Sequence, residues 1–287
     1  MVGKFEAAPI KTVYWRPRED YLQRIVDSIK NKIEYGNIVT VSEKAISTAL
    51  GNLVDESAIQ PSRMASFIAK YWMRLVWGYF LGSLSRLRKR TIQHLRNYPL
   101  DEGGAHKQLA LERTGLLEAL MFGSEGGIDA SNLPYSLVSL PLRNASGIAQ
   151  KIRRHIKNRL GKEVVVMIVD TDRTYSLRTF HFTHRPRPIR GIRSFGGFLS
   201  YVIGRFFKMK HRATPVAVAG SQMQVEEALE VAEIANKARG SGAGRTVWDM
   251  AERFGVSVTG VTWEMLEKLT HKPIVIVKPM RREEDSP

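Results

Sequence analysis

The sequence predicts an α/β protein of the mixed α+β kind, a mixed sheet with flanking helices, and three observations carry that expectation. Val164-Val165-Val166-Met167-Ile168-Val169 is an unbroken, β-branched run of strand length, the pattern of a central strand buried on both faces, and it is expected to end at Asp170. Shorter runs of the same character recur at Pro215 to Ala219 and Ile274 to Val277. Between the runs lie segments with helical spacing, clearest over residues 144–160, where Ile148, Ile152, Ile156 and Leu160 share one face and Lys151, Arg153, Arg154, Lys157 and Arg159 crowd the others.

The remaining elements follow in order. Leu22, Ile25, Val26, Ile29 and Ile33 form one face of a helix over 18–34, closed by Gly36-Asn37. Ile38 to Val41 reads as a short buried strand that delivers Ser42, Glu43 and Lys44 to its end, and Ala45 to Leu50 continues as helix. Residues 61–96 are expected to be mostly helical. Their most apolar stretch, Phe67 to Leu84, is interrupted by Lys70 and Arg74, which suits a buried or interface helix and not a bilayer span. Its aromatic residues Tyr71, Trp72, Trp77, Tyr79 and Phe80 are expected to lie partly in a core or a dimer interface. Residues 99–108 (PLDEGGAHKQ) read as a loop from their proline, glycines and charges. A helix over 222–239, with Val225, Ala228, Leu229 and Ala232 inside, leads to a flexible joint at 240–244 (GSGAG), then two short helices near 245–254 and 261–270. The RREEDSP tail is expected to be disordered. The organisation expected is a core over 1–240, with a helical insertion at about 64–108, and a C-terminal part over 241–287 made of the helical hairpin, the last strand and the tail.

Composition limits the chemistry. The 287 residues suffice for a sizeable core, and the absence of cysteine removes disulfides, thiolate zinc sites and cysteine nucleophiles. Any metal must therefore take oxygen or histidine nitrogen. The N-terminal stretch MVGKFEAAPIKTVYW has no long apolar core, so a cytoplasmic location is expected. A net charge of +16 favours anionic partners, either nucleic acid or phosphorylated small molecules.

Three motifs carry oxygen donors and a cation. VDTDRT (169–174) places Asp170 and Thr171 where a buried strand gives out, the end at which α/β sheets bind ligands, and such oxygens suit Mg²⁺ or Mn²⁺; the bland reading is an aspartate in a turn. GSEGGIDASNLPYS (123–136) offers Asp129, Ser131 and Asn132 after glycines that allow close backbone approach, against the alternative of a surface Asx-turn. VSEKAIS (41–47) sets Lys44 just past a strand, where it can hold a phosphate, or else simply belongs to a cap. A P-loop, an HExxH pair and a GxSxG elbow are all absent. His181 and His184 stand beside Arg185 and Arg187, a poor setting for a metal.

Taken in order, the pieces resemble one family. IVTVSEKAISTALGN (38–52), EGGIDASN (125–132), VVVMIVDTDRT (164–174), VAGSQMQVEEALEVAEIANKARG (218–240) and KPIVIV (272–277) are similar to successive segments of the coenzyme F420-0:gamma-glutamyl ligases. The resemblance implies an intertwined homodimer. It also implies a GTP-dependent reaction in which a carboxylate of a deazaflavin coenzyme precursor becomes an acyl phosphate and is attacked by the amine of L-glutamate. Mg²⁺ or Mn²⁺ would be held by Asp129 and Asp170 with Thr171 beside them. Ser42, Lys44, Ser131 and Asn132 would lie toward the nucleotide. The partners implied are small molecules and a second copy of the chain, with no membrane.

The departures are specific. Leu50-Gly51-Asn52 stands where the family has a Glu-Gly-Arg pattern, Asp170-Thr171-Asp172-Arg173 lacks the family's glycine, and glutamines at 222 and 224 replace an acidic pair. Residues 64–108 and 241–270 read as additions or strong divergence. Changes expected near the site point to another acid substrate, or to an inactive or repurposed paralogue. A rival reading comes from 247–269, where Ala251, Gly255 and Val261 have helix-turn-helix spacing, which with the charge suggests a nucleic-acid-binding protein. Glu264 and Glu267 in its second helix would repel phosphate, and Gly260 weakens that helix.

Overall fold

The computed structural model describes residues 5–280, and the RREEDSP tail lies outside them. In chain order the elements are β1 (Phe5–Thr12), α1 (Tyr21–Ile29), β2 (Ile38–Ser42), α2 (Glu43–Ala49), β3 (Leu53–Asp55), α3 (Arg63–Phe67), a π-helical segment (Ile68–Leu81), α4 (Gly82–Leu84), α5 (Lys89–Arg96), α6 (Asp101–Arg113) and α7 (Leu116–Ala119). The second half holds β4 (Leu137–Ser139), α8 (Ala145–Leu160), β5 (Val165–Leu177), β6 (Phe180–Thr183), β7 (Ile192–Ser194), α9 (Phe198–Phe206), β8 (Lys210–Ala219), α10 (Val225–Arg239), α11 (Val247–Phe254), α12 (Trp263–Glu267) and β9 (His271–Pro279).

The fold is mixed α/β, as expected. A seven-stranded sheet runs β1-β9-β2-β5-β6-β7, with β8 on the other flank of β5, and a separate two-stranded sheet pairs β3 with β4. β2 and β5 are parallel, whereas β9 joins β2 and β8 joins β5 in antiparallel fashion. The last strand thus lies inside the sheet, between β1 and β2. Both faces are covered, which is why the β5 run shows no polar alternation. Val166 and Ile168 pack with Ile25, Ile29, Ile46, Ile152 and Ile156 of α1, α2 and α8. Met167 and Val169 pack on the opposite face, with Ala228, Val231, Ala232 and Ala235 of α10.

Several expectations need correction. The strand does not end at Asp170 but runs through it to Leu177, because β6 folds back on its second half. Residues 101–108, expected as loop, belong to α6, whose first turn carries Asp101 and Glu102. Its glycines serve close packing: a Cβ at Gly103 would meet the Tyr98 ring at 2.2 Å. The first helix is shorter than 18–34, spanning Tyr21–Ile29 from an Asp20 cap. The joint at 240–244 is tied down, since Asn132 donates to the Gly244 carbonyl (3.0 Å) and accepts from the Ala243 amide (2.5 Å).

A third compartment, from α3 to α7 with α9, has its own core around Met73, Trp77, Leu109 and Phe198. Its long helix is wound wider than an α-helix over Ile68–Leu81, so residues five apart share a face. Trp72 and Trp77 therefore both donate their indole N–H to the Leu120 carbonyl, each at 2.8 Å. The aromatic stretch is accordingly split: Trp77 is buried, while Tyr71, Tyr79 and Phe80 are exposed. Among the described residues no helix is long and apolar enough to cross a membrane.

The α11–α12 pair forms a small cluster of Met250, Ala251, Val261 and Leu266. The helix expected over 261–270 shrinks to the five residues of α12, and Gly260 falls in a 3-10 turn before it. At 1.5 Å per residue α12 is about 7.5 Å long, shorter than a major groove is wide. Glu267 and Glu264 pair with Arg16, at 2.6 and 4.0 Å.

Candidate functional site

The site grows from an interruption in the sheet. β2 pairs with β5 up to Ser42 opposite Val169, and β6 pairs with the same flank of β5 from Thr183 opposite Thr174. Residues 170–173 have no strand partner on that flank. On the other flank β8 skips as well: Thr214 sits opposite Asp170 and Ala213 opposite Arg173, so Thr171 and Asp172 form a bulge. Bulges re-aim side chains and cluster beside functional sites. The chain leaving β2 brings Glu43 to this notch, and the chain leaving β6 brings His184 and Arg185.

Arg185 is buried and holds the notch together. Its Nη1 donates to Asp170 Oδ2 at 3.1 Å, its Nε lies 2.9 Å from the same oxygen, and Nη2 donates to Glu43 at 2.6 Å. Glu43 also accepts from the Leu142 amide at 2.8 Å. Asp172 accepts from Ser124 Oγ at 2.9 Å, with His184 Nε2 at 3.5 Å.

A second loop closes on the notch from the side. Asp129 is fixed by a bridge to Ser139, with its amide donating to the Ser139 carbonyl at 3.1 Å and its carbonyl accepting at 2.9 Å. Its side chain accepts from the Ser131 amide at 2.7 Å, an Asx-turn. Lys44, on the first turn of α2, ion-pairs with Asp129 and donates to both the carbonyl and the hydroxyl of Ser131 at 2.8 Å. Asn132 adopts a positive φ of 59°, and its amide is engaged by the 243–244 backbone. Ser42 caps no amide with its hydroxyl and lines the same cavity. That cavity has a volume of about 1240 Å³ and is lined by Ser42, Lys44, Asp129, Ser131, Asn132, Asp170 and Thr171. The residues expected at the site therefore share one space, although their motifs are far apart in sequence.

The electrostatics are acidic at the notch. Burial pushes the Asp170 carboxyl well above the usual range, and Asp172, Glu43 and Asp129 add to it while Arg185 opposes. Burial raises Glu43 too, against Arg185 and the Leu142 N–H. Burial works the same way on Asp172, yet His184, Arg185 and Ser124 hold it below the ordinary value. Glu43, Asp129, Asp170 and Asp172 converge here, opposed by Lys44 and Arg185 and, at longer range, by Arg239. Among the described residues no three carboxylate or imidazole groups converge as a complete metal cage. The donors fit an ion of the Mg²⁺ or Mn²⁺ class, which commonly takes one or two protein carboxylates and completes its shell with phosphate oxygens and water.

The third compartment supplies another wall. His106 bridges Glu56 (2.6 Å) and Glu125 (2.8 Å), and Lys107 pairs with Glu125 as well. Burial opposes the charged ring, but the two glutamates raise His106 to about 10. This clamp holds Glu125 at the start of the loop that carries Asp129. From the end of α10, Arg239 reaches the cavity, and Arg245 follows from the 240–246 segment.

Sequence reasoning missed Glu43, Asp172, His184 and Arg185 as site residues. Arg185 and Glu43 are 142 positions apart, and only the β5–β6 hairpin brings them together. The departures expected near the site divide: Asp172 and Arg173 line the cavity, whereas Leu50, Gly51, Asn52, Gln222 and Gln224 do not. Asn52 instead donates to the Leu140 carbonyl at 2.9 Å, behind the Asp129 loop.

A family model described as F420-0:Gamma-glutamyl ligase matches residues 9–244. An uncharacterised protein of Methanocaldococcus jannaschii is 36% identical over 284 residues, covering 95% of this chain and 96% of that protein. A coenzyme F420:L-glutamate ligase of Archaeoglobus fulgidus is 26% identical over 172 residues, 59% of this chain and 61% of that enzyme.

Proposed function

This chain belongs to the F420-0:gamma-glutamyl ligase family, and from that premise we propose that it is a GTP-dependent ligase that joins L-glutamate to a carboxylate of a deazaflavin coenzyme precursor, or a related acid, through an acyl phosphate. The observation that carries the reading is the convergence of Lys44, Asp129, Ser131 and Asp170, from three distant segments, on one cavity of about 1240 Å³. That volume exceeds the roughly 300–1,000 Å³ of a single small-ligand pocket and suits a nucleotide together with a second substrate.

In this reading Lys44, Ser42 and Ser131 face the phosphates, and Asp129 and Asp170, with Thr171 beside them, would hold a divalent ion. Such an ion neutralises charge on the phosphate oxygens, the larger part of what phosphoryl transfer requires. Lys44 is pre-positioned by its two bonds to Ser131, so little ordering remains when nucleotide arrives. Arg239 and Arg245 bring positive charge for the acidic partners.

GTP or GDP is expected to raise the melting temperature only when Mg²⁺ or Mn²⁺ is present, by the equivalent of about 2.7 kcal/mol at a hundredfold excess over Kd. Equal stabilisation in excess chelator overturns the metal-bridged reading. With coenzyme F420-0 and L-glutamate added, phosphate release should accompany a product one glutamyl residue heavier.

The assembly proposed is a homodimer. Phe67, Tyr71, Tyr79 and Phe80 are exposed on the long helix, and apolar side chains grouped at a surface mark association sites. Light scattering at micromolar concentration is expected to return twice the chain mass of 32.5 kDa, and a monomer would count against it.

A further inference from the structure

We infer that His184 is the proton acceptor for the amine that enters this site, with Asp172 as its positioning residue. The inference rests on the ligase reading and deepens it. His184 is 3% exposed, lines the cavity, and neither of its ring nitrogens has a hydrogen-bond partner. Buried polar atoms are almost always satisfied. A buried imidazole that lacks partners in the wall of a cavity is satisfied by what the cavity binds.

The surroundings orient the ring without occupying it. Asp172 Oδ2 lies 3.5 Å from Nε2, just beyond hydrogen-bond range, and is itself held by Ser124 Oγ at 2.9 Å. Tyr201 of α9 stands edge-on to the ring, with centroids 6.3 Å apart. Two neighbouring cations are engaged elsewhere: Arg173 with Glu233 at 2.8 Å, and Arg185 with Glu43 and Asp170. Arg245 also lines the cavity, near enough to oppose the burial-driven rise of the Tyr201 phenol. His184 therefore lines the cavity beside Asp172, a carboxylate two residues along β5 from the proposed metal ligand Asp170, with both ring nitrogens unpaired.

The chemistry needs such a group. The amine of an amino acid is an ammonium ion at neutral pH and carries no lone pair. One proton passes from the ammonium to an unpaired ring nitrogen of His184. The freed nitrogen lone pair forms the C–N bond at the acyl phosphate carbonyl carbon, the C–O bond to phosphorus breaks, and its electron pair leaves with phosphate. The second proton lost in making the amide departs on that phosphate. Asp172 stabilises the imidazolium, the part that a carboxylate plays beside a general-base histidine.

Hydroxylamine tests this, because it is largely unprotonated at neutral pH and traps an acyl phosphate as the hydroxamate without a base. The full chain, with GTP, Mg²⁺ and coenzyme F420-0, is given either L-glutamate or hydroxylamine. For His184→Asn and His184→Gln, glutamate transfer is expected to fall by about 10²–10⁴-fold, with hydroxamate formation within a few-fold of the parent and the GTP-dependent melting shift retained. Asp172→Asn, which keeps the imidazole, should show a smaller fall with the same split between acceptors, and it carries the test if the His184 variants do not fold. Equal loss with both acceptors, or no loss with glutamate, overturns the assignment. Absence of any hydroxamate from the parent chain would overturn the ligase reading itself, and this inference with it.

Discussion

Asp129→Asn and Asp170→Asn should each abolish the metal-dependent response to GTP while leaving the chain folded. Asparagine keeps the shape and one acceptor oxygen at both positions. Lys44 retains its two 2.8 Å bonds to Ser131 when Asp129 is neutralised, and Arg185 retains Glu43 when Asp170 is. What disappears is the charge a divalent ion requires. The pH dependence of the apo protein gives an independent reading. The folded Asp170 carboxyl is raised well above its ordinary 3.8, so the folded chain keeps a proton that the unfolded chain has released. The contribution of this group is therefore most favourable below about 3.9 and is lost as pH rises through the folded value. Asp170→Asn removes that slope and leaves the apo protein at least as stable at neutral pH. If the aspartates only shaped turns, asparagine would serve about as well and the response to GTP with Mn²⁺ would persist. Melting curves of both variants, with and without nucleotide and metal, distinguish the two outcomes.

Arg185→Met should be the most destabilising substitution at the site, costing about 3–5 kcal/mol. The guanidinium is 1% exposed and is the shared partner of two buried carboxylates, Glu43 and Asp170. Methionine fills much of the space but leaves both acids without a cation. Their carboxyls then hold protons to still higher pH, so the deficit shrinks as pH is lowered. Urea midpoints for Arg185→Met at pH 5 and pH 8 check the sign, and adding Glu43→Gln should recover part of the loss. An unchanged midpoint at pH 8 would mean that water screens the cluster.

Much of the architecture was readable because it rests on local patterns. β2, β5 and β9 are continuous apolar runs since helices cover both faces of the sheet, and α8 shows its Ile148, Ile152 and Ile156 stripe directly. Lys44 stood out because it follows an apolar strand, and Asp129 and Ser131 because they follow glycines that allow close backbone approach. Other features had no local signature. The Ile68–Leu81 segment repeats at five residues, a period that an α-helical reading discards. α6 forms where Gly103 lets Tyr98 lie against its backbone, a tertiary contact that outweighs low helix propensity. β1, with Pro9 and a mixed burial pattern, is an edge strand that alternates poorly. Arg185 looked like a reason to dismiss its histidine neighbour, because nothing near it in sequence reveals Glu43 or Asp170.

The gap in pairing along β5 solves a problem of exposure. Unpaired strand backbone is a template on which other chains can add, and proteins usually hide or charge such edges. Here the unpaired residues 170–173 lie in the interior of a seven-stranded sheet, with β2 and β6 anchoring β5 before and after them. A foreign strand would need several consecutive pairings to bind, and the opening admits fewer, with Glu43 and Arg185 standing across it. The opening suits small ligands, while extended polypeptide is kept out by its length.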